Sequence, residues 1–302
     1  MKTSSLLKNI RNIFIFSLIA FSSFATEFYV SPNGSDDNSG TKNRPFATLE
    51  RAKIAVQNSI QNKNNIDFTI WIADGIYEIE SPLIFNPEFF GDKINVRIKA
   101  IKKANPVISG GKVLTGWTKN ENGFWVAELP EKGDWNPREL FINNKRAMRA
   151  RHPNSGYLEV KKVGDDRRTN FQFSEGDFPI PENVKGVELI LLHDWSISRI
   201  GVKSIDSRNN RLTAVDSIGA KSPAFFNLDN WDKNPRYFLE NTIEFLDADF
   251  EWFLDSETRE IYLKLPELQS PESLQIIVPF ASGLIQIKGE ENSPVKNIHF
   301  EG

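Results

Sequence analysis

"FTIWIADGIYEI" runs from Phe68 to Ile79. Apolar and β-branched residues fill its first half, Asp74-Gly75 interrupts it, and Ile76-Tyr77 resume. That order reads as strand, tight turn, strand. "INVRIKAI" (Ile94 to Ile101) and "PVISGG" (Pro106 to Gly111) continue in the same manner, with Pro82, Pro87 and Gly91 in the gaps. Short β pieces returning at roughly two dozen residues are the style of a β-solenoid coil. A coil cannot bury its apolar face alone and needs another stacked on it.

Upstream, "FYVSPNGSDDNSGTKNRPFATLERAKIAV" begins at Phe28. Phe28 to Val30 is a short strand, followed by a loop of turn-forming residues. Asp36-x-Asn38-x-Gly40 has the look of a calcium loop. An EF-hand needs Glu at the twelfth position, however, and Ala47 stands there, so turn chemistry is the preferred reading. A helix follows. Thr48 caps it, Glu50 lies in its first turn, and Leu49, Ala52, Val56 and Ile60 form one apolar stripe.

Downstream, the manner changes near "LTGW" (Leu114 to Trp117). "ELFINNKRAMRAR" places Asn143-Asn144 between strand-like runs, as a type I′ turn requires. "VELILLH" (Val187 to His193) reads as a buried strand. "VKSIDSRNNRLTAV" turns near Asn209-Asn210, and "EWFLDSETREIYLKL" turns near Ser256 to Thr258. Strands at this density predict an antiparallel sandwich or barrel-like domain over residues 115–275. "LIQIKG" (Leu284 to Gly289) and "VKNIHFEG" (Val295 to Gly302) then return to the earlier style. The expected organisation has four parts. They are a signal peptide (1–25), a cap with the first coils (26–114), an inserted β-domain (115–275), and an incomplete resumption of the solenoid (276–302).

Composition narrows the function classes. Of 302 residues, 39% are hydrophobic and 25% charged, an ordinary globular balance. The formal net charge of −3 lacks the basic excess of a nucleic-acid binder. With no Cys and three His, disulfides are excluded, and neither a metal site nor a cofactor is expected. Lys2, Lys8 and Arg11 precede the apolar "IFIFSLIAFSSFA" (Ile13 to Ala25). This has the form of a signal peptide cleaved after Ala25, too short to span a bilayer. Its removal takes three positive charges and moves the net charge from −3 to −6. The expected product is secreted or periplasmic in a bacterium, with no membrane attachment after cleavage.

"FYVSPNGSDDNSGTKNRPFATLERA", "ADGIYEI" and "PVISGGKVLTGW" resemble the start of secreted right-handed parallel β-helix proteins of the pectate-lyase-like superfold. "LFINNKRAMRARHPN", "RYFLENTIEFLDADFEWFLDSETREIYL" and "PVKNIHFEG" are similar to the inserted β-domain and returning coil of the β-helix glycoside hydrolases. The resemblance runs from Phe28 to Gly302. One departure is visible: the family commonly has Pro-Gly before the last hairpin's Glu-Trp, and here Asp249-Phe250 precede Glu251-Trp252. The resemblance implies a mainly β chain. A right-handed parallel β-helix starts with one N-terminal helix, is interrupted by the antiparallel insertion, and is truncated at the C-terminus. It also implies catalytic carboxylates on coils beyond Gly302, so this stretch would be inactive alone.

Within the chain, Glu240, Asp247, Asp249, Glu251 and Asp255 cluster in sequence. Strand neighbours alternate faces, so the cluster reads as strand edge and turn, with Glu240-Asn241 and Glu251 holding the insertion together, rather than as a glycosidase pair. Six of the seven Trp lie between Trp117 and Trp252, and "PAFFNLDNWDKNPRYFLEN" mixes rings with amides and carboxylates. Sugar rings pack on aromatic planes, which makes Trp195, Trp231, Arg236 and Tyr237 the substrate-binding candidates. Arg149 or Arg151 could clamp a uronate, although pairing with the acidic excess is preferred. His193-Asp194 lacks a nucleophile motif and reads as structural. The expected partner is a polysaccharide or oligosaccharide substrate. The oligomeric state is open, a homo-oligomer included. A polysaccharide lyase of the same fold and a non-catalytic glycan-binding or surface-structural protein are the competing readings.

Overall fold

The computed structural model describes residues 25–62, 66–88, 90, 93–130, 135–193, 195–218, 227–230 and 232–302. Apart from Ala25, the expected signal peptide lies outside the described residues, as do Asp194 and Trp231. The architecture is mainly β, with one α-helix among the described residues. The chain forms two compact units. Among the described residues, one holds those up to Tyr77, Leu83–Ile108 and Ile285–Gly302, and the other holds Glu78–Pro82 and Ser109–Leu284.

The first unit is built on a four-stranded sheet in the order Thr26–Val30, Asp67–Ile72, Asn95–Ala100, Ile298–Glu301. All three pairings are parallel and in register, so Phe28, Ile70, Ile98 and Phe300 stand side by side. Phe68, Ile70 and Ile72 alternate inward with Val96 and Ile98 and are buried. The opposite face carries the row Tyr29, Trp71, Lys99, Glu301. There Lys99 Nζ lies 2.6 Å from Glu301 and 5.8 Å from the Trp71 ring centroid. The Ile285–Ile287 strand also pairs in parallel, with Leu83–Phe85. Both strands of the returning segment therefore add, in parallel, to strands laid down some 200 residues earlier.

The helix spans Leu49–Asn62 and buries Leu49, Ala52, Ala55 and Val56 in the first unit's core. Thr48 Oγ1 accepts the Arg51 N–H at 3.1 Å, the cap expected from sequence. Asp36 takes the part of a second cap. Its carboxylate accepts the Ala47 and Thr48 N–H groups at 2.9 Å and the Thr48 hydroxyl at 2.8 Å. Both oxygens of Asp36 are thus committed to the helix start, which is turn and cap chemistry.

The second unit contains an eight-stranded, a five-stranded and a four-stranded sheet. Their pairings are antiparallel except Met148–Arg149 with Glu251–Asp255. One core gathers Phe171, Phe173, Leu189, Leu191, Tyr237 and Leu239, and another gathers Trp117, Leu140, Trp252, Leu254, Ile261 and Leu263. The turns fall where turn chemistry placed them. Asn143 and Asn144 have φ of 49° and 62°, the signature of a type I′ turn. The Asp206 and Asp255 carboxylates each accept two backbone N–H groups in their hairpin turns. Phe250, before the last hairpin's Glu251-Trp252, adopts φ of 65°. This left-handed conformation, which glycine takes freely, costs phenylalanine about 1–2 kcal/mol, and the Phe250 N–H is bonded to Lys264 O at 2.7 Å.

Candidate functional site

The outer face of the eight-stranded sheet is the richest chemical surface in the second unit. It starts from the alternation in Arg236–Glu240. Tyr237 and Leu239 face the core, and Arg236, Phe238 and Glu240 face the other way. Arg236 is exposed, and its guanidinium lies 5.3 Å from the Tyr157 ring centroid. Tyr157 is 6.3 Å from Phe238, and the Arg151 guanidinium stacks 3.7 Å from the Phe238 ring. Arg236, Tyr157, Phe238 and Arg151 thus form one ladder of alternating cations and rings. At the end of the sheet where the Arg236–Glu240 strand begins, the hairpin between Glu188–Leu192 and Ile197–Asp206 presents Trp195, 61% exposed.

The ladder runs into a buried ionic network. Glu188 and Glu240 are direct cross-strand partners. Arg149 Nη1 lies 2.5 Å from Glu188 and 3.2 Å from Glu240. Arg199 bridges the same two carboxylates, and Arg138 Nη2 reaches Glu188 at 2.7 Å. Arg149 Nε also donates to Asn241 Oδ1 at 3.0 Å. Burial pushes the Arg149 guanidinium pKa down, and the Glu188 charge opposes that shift. Two carboxylates held by three guanidiniums are fully ion-paired. The arrangement clamps strands together and leaves no carboxyl free to donate a proton to a glycosidic oxygen.

The sequence candidates separate accordingly. Trp195 and Arg236 are brought to the same end of one sheet. Tyr237 is corrected: it is wholly buried, its ring 4.9 Å from Phe171, so it cannot touch a solute. Trp231 lies outside the described residues. Neither Arg149 nor Arg151 is open to a uronate, because Arg151 also donates to Pro153 O and Gly156 O. His193 Nε2 lies 2.7 Å from Ser198 Oγ, and burial lowers its pKa. Asp247 and Glu251 are also engaged within the insertion. Asp247 accepts from Asn154, and Glu251, 2% exposed, accepts the Asp247 and Ala248 N–H groups, its pKa raised by burial. Sequence reading missed Tyr157, Glu188 and Arg199, and had Phe238 only as one ring of the aromatic stretch. The signal for Glu188 was a charge inside the otherwise apolar "VELILL".

Residues 122–266 match the GH141 insertion domain. A solved structure described as "Glycoside hydrolase" is similar at 25% identity and TM-score 0.76. The match covers 92% of this chain and 50% of that one, so the chain spans half its length. Another, described as "The complex structure of XylC with xylose", is 15% identical with TM-score 0.45, covering 92% of this chain and 34% of that one. No curated protein matches significantly.

Proposed function

We propose that this chain is the N-terminal region of a secreted carbohydrate-active enzyme, a glycoside hydrolase acting on plant or algal polysaccharide. The first unit is the start of a right-handed parallel β-helix, residues 115–275 are its inserted domain, and residues 1–25 are a signal peptide. The hydrolytic carboxylates sit on coils that follow Gly302. The observation that carries this reading is the pairing of a GH141 insertion-domain match with a glycoside hydrolase structure of which this chain covers only half. The in-register parallel return of Ile285–Ile287 and Ile298–Glu301 supports a solenoid resuming after an insertion. Trp195 and Arg236 supply a glycan-contacting edge on the insertion, a ring plane beside a hydrogen-bonding cation.

Reading the gene past codon 302 tests the proposal. The frame is expected to continue through further strand–turn repeats and to place two carboxylates on one coil face. A stop codon directly after codon 302 would overturn it and favour a non-catalytic glycan-binding or surface-structural protein.

A further inference from the structure

The second unit holds a cleft of about 350 Å³ away from the ladder residues described above. We infer that this cleft is a binding site for neutral oligosaccharides, one to two sugar rings deep. The inference rests on reading the parent enzyme as glycan-active and assigns a site and a charge class to that activity.

Three half-buried rings line it. Phe253 and Tyr262 are direct cross-strand partners with centroids 5.6 Å apart, and Phe124 joins them from the turn before the Trp125–Glu128 strand. Such rings offer planes for the C–H faces of a pyranose. Around them stand groups that take hydroxyls, the exposed Asn122 and Glu182 among the lining residues. The lining is otherwise mostly polar, a mixture that suits a hydroxyl-rich ligand better than an apolar one.

The charges select the ligand class. The lining carries the carboxylates Glu182, Glu244, Asp255 and Glu257 and one basic side chain, Lys185, whose Nζ is already 2.5 Å from Glu257. The net negative lining repels a uronate and accepts hydrogen bonds from neutral hydroxyls. The carboxylates do not converge on a cation. Glu244 accepts the Glu182 N–H at 3.0 Å and the Thr242 hydroxyl, and Asp255 accepts two turn N–H groups. Among the described residues no cluster of three or more such side chains could hold a metal ion.

The test is titration calorimetry on residues 26–302 with neutral xylo-, gluco- and galacto-oligosaccharides and with oligogalacturonates. At least one neutral series is expected to bind, and the uronates are expected to bind at least about tenfold more weakly. Tyr262→Ala should weaken neutral binding about tenfold. Should that variant fail to fold, Asn183→Trp fills the cleft from an exposed loop and should abolish binding while the circular dichroism spectrum is unchanged. Binding that survives Asn183→Trp, a preference for uronates, or no binding by any neutral series would overturn the assignment. The hydrolase reading is tested separately by the reading frame, so either can fail without the other.

Discussion

Glu240→Ala is expected to lower the unfolding free energy by about 3–5 kcal/mol, the cost of removing one partner from a buried ion network. Glu240 is 6% exposed and is shared by Arg149 and Arg199. Its loss leaves two guanidiniums competing for Glu188, which Arg138 already engages. Arg149 is itself buried, so the uncompensated charge cannot be rehydrated in place. Glu240→Gln keeps the shape and one acceptor and should fall between wild type and Ala. Urea unfolding followed by tryptophan fluorescence reads the difference. A loss below about 1 kcal/mol would mean the network behaves as an exposed one.

Asn241→Ala should be at least as damaging, by about 5–6 kcal/mol at about 1 kcal/mol for each of its hydrogen bonds plus about 1–2 kcal/mol for the backbone. Asn241 is 2% exposed and sits at φ 67°. Its Oδ1 accepts from Leu254 N and Arg149 Nε, and its Nδ2 donates to Gly186 O and Leu254 O. One side chain therefore ties the end of Arg236–Glu240 to the Glu251–Asp255 strand and to the loop before Glu188–Leu192. Asn241→Gly keeps the left-handed backbone without penalty and should be about 1 kcal/mol milder than Ala. An equal cost for the two would assign the whole effect to the side-chain bonds. Because Glu240 and Asn241 share Arg149, the double variant should cost less than the sum of the single ones.

Much of the local structure was legible because it is written in local chemistry. Thr48 before a 3.6-period stripe marked the helix start, and Asn143-Asn144 marked a turn that needs two positive φ values. The candidate site was less legible, for a reason visible at Tyr237. Adjacent strand residues differ only in face, and a one-residue difference separates the buried Tyr237 from the exposed Arg236. Sequence placed both in one aromatic stretch and could not say which side faced solvent. The ladder through Tyr157 and Phe238 depends on pairing between strands some 80 residues apart. The partners of Glu240 come from three further segments, and nothing local announces them. Phe250 shows the converse: a bulky residue stands in a left-handed position where glycine would be unstrained, and its sequence does not announce the turn.

On the proposed function, the residues up to Gly302 bind glycan but do not hydrolyse it. Here Glu188, Glu240, Glu251 and Asp255 are each committed to ion pairs or turn N–H groups. The direct measurement is release of reducing sugar or aryl aglycone by residues 26–302, across neutral polysaccharides and a panel of aryl glycosides. The expected result is no turnover above buffer. Hydrolysis that scales with protein concentration, and that Glu240→Gln or Glu251→Gln removes, would contradict the account and place the catalytic pair within these residues.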